Sequence, residues 1–308
     1  MAATENDHAR IKQCLDELVA LGDVAVVPLN DLVRAEGPAG LWAAEALARI
    51  GTPLATTALL ETLSQTKESR YKEELGKRVS SISNHDSWPV LLDSALQTGD
   101  ATVLRAAGAS LSMMADTAIV DGIIARYEAA ATEAEIERLT QMVSNIQSPR
   151  ATDALLSLAG HVSSTPQDSL QEAAIEALAR VGDPQAVSHL LRRLEAAPPG
   201  KGTELFNAIT RISSPEAQVP LLYAAAGSKE VSAEHGQTAA IYALGNYPDT
   251  KTCALLERII AETANERVLA AATRTLDDIR LAPHAVTAMA DSMPKEEEHI
   301  LPPPPAKE

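Results

Sequence analysis

Aromatic side chains are scarce in this 308-residue chain, which has one Phe, two Trp and five Tyr. A core with few large rings must be filled by Ala, Leu and Ile, a set that favours helix over strand and lets helices approach closely. Cysteine is nearly absent: Cys14 and Cys253 are far apart, each inside an amphipathic helical pattern. A disulfide framework is excluded, and two buried free thiols are expected. Basic charge is also short, with 26 Lys and Arg against 42 Asp and Glu and a formal net charge of −16. Such a surface repels nucleic-acid backbones and anionic membranes unless a basic patch overrides it. The longest basic feature, Arg192-Arg193, reads as a solvated helix face. No apolar run approaches the roughly eighteen residues of a membrane span, and Met1 to Arg10 is polar, so neither a transmembrane helix nor a signal peptide is expected. A cytoplasmic location is the corresponding expectation.

Sites for chemistry are equally hard to find. The histidines (His8, His85, His161, His189, His235, His284 and His299) include no pair at the three- or four-residue spacing that brings two imidazoles to one metal. Pro198-Pro-Gly-Lys-Gly-Thr203 superficially suggests a phosphate loop, but the residues that should separate its first Gly from Gly-Lys-Thr are missing and no strand precedes it. No Gly-x-Ser-x-Gly elbow occurs. Neither catalytic residues nor a cofactor or metal are expected.

What the chain does have is apolar content, 45% of residues, arranged with a long period. Ile50, Ile82, Met114, Ile146, Val181, Ile212, Tyr247 and Ile279 each end an amphipathic segment and lie 32, 32, 32, 35, 31, 35 and 32 residues apart. Three residues before each stand Leu47, Val79, Leu111, Val143, Leu178, Ile209, Leu244 and Leu276; seven before, Ala43, Leu75, Ala107, Leu139, Ala174, Leu205, Ala240 and Ala272. Offsets of three and seven share one helix face, so every segment buries the same stripe. A second helix lies between these segments, marked by Leu59-Leu60, Leu91-Leu92, Ile123-Ile124, Leu155-Leu156, Leu190-Leu191, Leu221-Leu222 and Leu255-Leu256, with Val26-Val27 as the first member. Gly51-Thr-Pro53, Ser148-Pro149, Gly182-Asp-Pro184, Ser214-Pro215 and Pro248-Asp249 punctuate the pairs. Gly ends a helix in the left-handed region, and Pro opens the next where its missing N–H is harmless. The predicted fold is an all-α solenoid of about eight helical hairpins, each burying its stripe against its neighbours.

The stretch Ala173-Ala-Ile-Glu-Ala-Leu-Ala-Arg-Val-Gly-Asp-Pro184, followed by Gln-Ala-Val-Ser-His-Leu-Leu, resembles the HEAT-repeat pattern, especially its short PBS-lyase-type variety. Glu45-Ala-Leu-Ala-Arg-Ile-Gly-Thr-Pro53 and Ala239-Ala-Ile-Tyr-Ala-Leu-Gly245 echo it. The resemblance covers residues 23–281 and implies a fold more than an activity. Deoxyhypusine hydroxylase, a solenoid of similar length, is marked by repeated His-Glu dipeptides at a di-iron site; this chain has no His-Glu. Repeat-built DNA glycosylases need a basic face and aromatic side chains, both poorly supplied here. A bilin lyase-like or other modifying enzyme is the alternative that the repeat type implies by fold alone.

The expected layout is a capping helix within residues 1–22 (spanning 6–21, with Asn6 or Asp7 as N-cap), the repeats over 23–281, a short helix or cap over 282–293 and an acidic proline-rich disordered tail over 294–308. Longer loops are expected at Ser163–Asp168, Ala196–Gly202 and Gly227–Ala233. In similar families the second helix of each pair lines the concave side. One residue before the anchors stand Arg49, Ser81, Met113, Asn145, Arg180, Arg211, Asn246 and Asp278; four earlier, Glu45, Lys77, Ala109, Gln141, Glu176, Asn207, Tyr242 and Arg274. Residues one turn apart stack on one side, giving a polar groove, with Glu45/Arg49 and Glu176/Arg180 in favourable intrahelical order. Arg49, Gln141, Asn145, Arg180, Asn207, Arg211, Tyr242, Asn246 and Arg274 are the partner-binding candidates, being types that contribute at interfaces. The function expected is that of a non-enzymatic scaffold or adaptor, monomeric when alone, binding a protein or peptide and neither nucleic acid nor membrane.

Overall fold

A computed structural model describes residues 2–160, 168–197, 202–227 and 234–281. Among them are seventeen α-helices and no strand. The chain divides into two compact units, Met1–Ala151 and Thr152–Glu308. The first holds α1 (Ala2–Ala20) and four hairpins: α2 (Val26–Arg34) with α3 (Pro38–Ile50), α4 (Pro53–Gln65) with α5 (Ser69–Ser80), α6 (Trp88–Gln97) with α7 (Ala101–Met114), and α8 (Thr117–Ala129) with α9 (Glu133–Ser144). The second holds α10 (Thr152–Gly160) with α11 (Asp168–Val181), α12 (Pro184–Ala196) with α13 (Thr203–Thr210), α14 (Gln218–Ala225) with α15 (Glu234–Leu244), and α16 (Thr250–Glu262) with α17 (Glu266–Leu281). Within each unit the hairpins stack side by side, the α-solenoid architecture.

The apolar columns form the core: every member of the anchor column and of the columns three and seven residues before it is buried. Each Leu or Ile taken from water contributes about 1.5–3 kcal/mol. The anchors do not all end helices, however. Ile82, Ile146, Ile212 and Tyr247 lie just past them, and their N–H groups donate to the carbonyls of Val79, Val143, Ile209 and Leu244, a three-residue reach that tightens the last turn.

Several details depart from expectation. Helix α1 starts at Ala2 rather than Asn6, because the helix formers at Ala2, Ala3 and Glu5 let it run through the proposed cap. The Val26-Val27 pair is split, Val26 buried and Val27 68% exposed; α2 buries Val26, Leu29 and Val33 instead. The two cysteines are free but not buried: Cys14 is exposed and Cys253 half-buried. Among the described residues helix α1 packs chiefly on α3 and turns Leu15 inward, leaving Cys14 outside. Most of the three longer loops, and the segments 282–293 and 294–308, fall outside the described residues.

The true period is two hairpins. First helices alternate in length: α2, α6, α10 and α14 have 9, 10, 9 and 8 residues, whereas α4, α8, α12 and α16 have 13 each. The short ones are preceded by a 3-10 turn, at Gly22–Ala25, His85–Ser87, Pro149–Ala151 and Pro215–Ala217. The long ones start directly from a side-chain cap: Thr52, Asp116, Asp183 and Asp249 accept from the N–H groups of Ala55, Ile119, Ala186 and Thr252. Each capping side chain also reaches the opening of the preceding hairpin. Thr52 Oγ1 donates to Asp23 at 2.5 Å, His85 Nε2 meets Asp116 at 2.9 Å, Thr152 Oγ1 donates to Asp183, and Gln218 Nε2 donates to Asp249 at 2.5 Å. A polar clasp therefore joins hairpins one to two, three to four, five to six and seven to eight.

Turn glycines fit the same plan. Gly51 and Gly182 adopt φ of 57° and 58° and donate to Leu47 and Leu178 carbonyls at 2.9 Å. A Cβ on Gly182 would stand 2.7 Å from Ser214 Cβ, one turn further along the stack, and one on Gly51 would stand 3.0 Å from Asn84 Cβ. Both positions need glycine for dihedral angle and for closeness.

Candidate partner-binding surface

The columns proposed as a contact surface do lie off the core stripe. Arg49, Gln141, Arg180, Asn207, Arg211, Asn246 and Arg274 are exposed, and Asn145 and Tyr242 half-buried. Their partners differ from the expected ones in part. Arg180 pairs with Glu176 at 3.1 Å, as its spacing predicts, but Arg211 of the next hairpin reaches the same carboxylate at 3.6 Å. These two arginines are thus committed to a shared partner rather than standing as uncompensated cations. Glu45 and Arg49 do not pair with each other. Arg49 goes to Asp16 of α1 at 2.6 Å, and Glu45 faces Arg78 of α5 at 3.8 Å, where Arg78 also binds Glu74. Arg211 and Arg78 thus link neighbouring second helices, and Arg49 ties α3 to the capping helix α1, contacts that intrahelical spacing rules do not anticipate.

Other candidates have structural work. Asn246 Nδ2 donates to the carbonyls of Thr210 and Ile212 at 3.0 and 2.8 Å, closing the end of α13, while Tyr247 Oη donates to Ser214 O at 2.7 Å. Burial, then the Glu216 charge, pushes the Tyr247 phenol up to about 12. Tyr242 meets Phe206 edge to face, centroids 6.0 Å apart, placing an aromatic pair beside Asn207 and Arg211. Arg274 approaches Asp278 at 4.0 Å. Gln141 Nε2 donates to Ser144 at 3.2 Å.

The Arg192-Arg193 feature is a solvated face only at Arg192. Arg193 is half-buried and donates to Ala159 O, a carbonyl at the end of α10 that also accepts from Gln171 at 2.8 Å. Burial pulls its pKa down; the cation is retained because it satisfies a helix C-terminus.

In the first unit the surface opens. Helices α7 and α9 splay to leave a cleft of about 520 Å³, lined by Leu104, Arg105, Gly108, Ala109, Met142 and Gln147 together with Gln141 and Asn145 of the predicted columns. Arg138, also on its wall, is half-buried and donates through Nη1 to Leu96 O at 2.6 Å. Arg105, like Glu137 across from it, stands one turn before the columns read from sequence. Extending those columns by four residues would have found both, whereas Leu104, Gly108, Arg138 and Met142 lie off them.

Among the described residues no group of three or more His, Cys, Asp and Glu is placed to hold a metal, and no helix is long and apolar enough to cross a membrane.

Residues 170–196, from the second helix of hairpin five through the first of hairpin six, match the PBS lyase HEAT-like repeat. Among solved structures the chain is similar to human deoxyhypusine hydroxylase in complex with glycerol, with 17% identity, coverage of 89% of this chain and 99% of that one, and a TM-score of 0.33. It is also similar to an engineered protein at 18% identity, coverage of 83% and 78%, and a TM-score of 0.28. A computationally designed self-assembling cyclic homooligomer shares 16% identity over 89% and 95%, with a TM-score of 0.19. No curated protein matches.

Proposed function

Starting from a chain of HEAT-like helical hairpins, we propose that this protein is a binding scaffold for a protein or peptide, engaged by the side chains of its second helices. The observation that carries this reading is the α7–α9 cleft, which combines apolar walls at Leu104 and Met142 with polar groups at Arg105, Arg138, Gln141 and Asn145. A concave surface of mostly apolar area with a few convergent polar groups is the usual form of a recognition site. The acidic total charge of −16 disfavours nucleic acid and anionic membrane as partners.

The modifying-enzyme alternative finds less support. A thiol-dependent lyase would want a reactive cysteine in the cleft, but Cys14 lies on α1 and Cys253 on α16. Burial pushes the Cys253 thiol up, followed by the charges of Asp249 and Glu257, which is opposite to the direction that activates a nucleophile.

Purification of the tagged chain from its native cell tests the reading. A stoichiometric polypeptide, released when the cleft is altered by Gln141→Ala and Asn145→Ala, is the expected result. A bound pigment or metal absorbance without any polypeptide would overturn it.

A further inference from the structure

The two-hairpin period gives the α7–α9 cleft an internal reference. In hairpins one, three and five the position five residues before the anchor holds Glu45, Ala109 and Glu176. Glu45 crosses from α3 to Arg78 on α5 at 3.8 Å, and Glu176 crosses from α11 to Arg211 on α13 at 3.6 Å. The double hairpins of α2 to α5 and of α10 to α13 thus each place one of their own carboxylates between their two second helices, facing an arginine. In the double hairpin of α6 to α9 that position is Ala109, and the gap is the open cleft of about 520 Å³. The arginines that face Glu45 and Glu176 have no counterpart here, since Met142 and Asn145 stand at the positions of Arg78 and Arg211, but the cleft has arginines of its own: Arg105 is exposed on the cleft wall and its guanidinium makes no ion pair or hydrogen bond among the described residues. Arg138 uses Nη1 for the carbonyl of Leu96, one part of a group with five N–H donors. Glu137 also lines the cleft, yet it pairs with neither arginine.

Resting on the protein-binding reading above, we infer that this cleft takes an acidic side chain, Asp or Glu, from an extended partner peptide. The peptide carboxylate occupies the place that Glu45 and Glu176 fill in the double hairpins of α2 to α5 and α10 to α13. Arg105 is its main counter-charge, and Arg138, Gln141 and Asn145 supply further donors. The apolar walls at Leu104 and Met142 accept the neighbouring peptide side chain. A charge-assisted contact at a site partly withdrawn from water contributes more than one on an open helix face.

The test uses the full chain and a library of nonapeptides in which one position at a time is fixed as Asp, Glu, Asn, Gln or Lys. The wild-type protein is expected to enrich Asp or Glu at a single position. The selected peptide should weaken about tenfold or more when that residue becomes Asn or Gln, the size of effect expected at an interface hot spot. Arg105→Gln should weaken it equally. Ala109→Glu should abolish binding by restoring the internal carboxylate, and it should fold normally because glutamate stands at the same place in hairpins one and five. If its melting curve shows misfolding, Arg105→Gln decides alone. Succinate serves as the small-anion probe and should not compete at millimolar concentration. Enrichment without acidic preference, undiminished binding to both variants, or succinate binding as tight as the peptide would each overturn the inference. Undiminished binding of a peptide to both variants would leave the protein-binding reading standing and move only the site; a library that selects nothing, joined to an empty native purification, would sink both.

Discussion

Replacing Asp183 by alanine probes the two-hairpin organisation at one residue. Its carboxylate caps α12 by accepting from the Ala186 N–H at 2.7 Å and accepts from the Thr152 hydroxyl of the preceding hairpin. Loss of an N-cap typically costs about 1 kcal/mol. Thr152 is only 5% exposed, so its hydroxyl would be left without its acceptor, an added loss of about 1–3 kcal/mol. Asp183→Ala should therefore destabilise the protein by about 2–4 kcal/mol in urea denaturation followed by far-ultraviolet circular dichroism. Asp183→Asn, which retains a capping oxygen, should lose much less. In a double-mutant cycle with Thr152→Val, a coupling of about 1 kcal/mol is expected for groups in direct contact. A loss of about 0.5 kcal/mol or less for Asp183→Ala, as at an ordinary surface site, or zero coupling to Thr152, would refute the clasp.

Three further outcomes follow from the same geometry. Leu178, fully buried in the column nearest the HEAT-like consensus, should lose about 3–5 kcal/mol as Leu178→Asp, since a carboxylate would be buried without a partner; an unchanged melting temperature would contradict the repeat register. Gly182→Ala should lose about 1–3 kcal/mol in the same assay, because the left-handed φ of 58° and the 2.7 Å approach to Ser214 both oppose a Cβ, and a neutral result would refute the close stacking. Acid titration of stability should show two windows. His189 is held below its ordinary 6.5 by burial and then by Arg193 and Arg192, so the unfolded chain takes up that proton first and stability falls as pH drops below 6.5; His189→Gln should remove this limb. Asp100 is held below its ordinary 3.8 chiefly by its hydrogen bond from Lys72, against the opposing effect of burial and with help from the Thr102 and Val103 N–H groups, so its contribution is present above 3.8 and lost as pH falls through the lower folded value. Asp100→Asn should flatten that lower window and leave the upper one in place.

The fold was legible in the sequence wherever burial alone decided it. Twenty-four column positions, three in each of eight hairpins, repeat an apolar character, and all are buried, because a stripe facing a neighbouring hairpin tolerates no charge. The double period was already written in one of those columns, where Ala43, Ala107, Ala174 and Ala240 alternate with Leu75, Leu139 and Leu205 until Ala272 breaks the pattern in the last hairpin. It became readable only once the short and long first helices were seen. Polar partners were less legible. Helical spacing predicts Glu176 with Arg180 correctly, yet Arg49 and Glu45 find Asp16 and Arg78 on other helices, because the distance between stacked hairpins, not spacing along one, sets those contacts. The cleft depends on how far α7 and α9 splay, a quantity no single column encodes.

The most direct test of the binding account is hydrogen exchange of the full chain with and without a peptide selected from the library. Binding in the cleft should protect amides of residues 101–114 and 133–147, the two walls and the turn that includes Gln147, and leave the first helices α6 and α8 unchanged. Protection confined to α6 and α8, with none on α7 or α9, would place the partner on the opposite face of these hairpins and contradict the assignment of the second helices as the working surface.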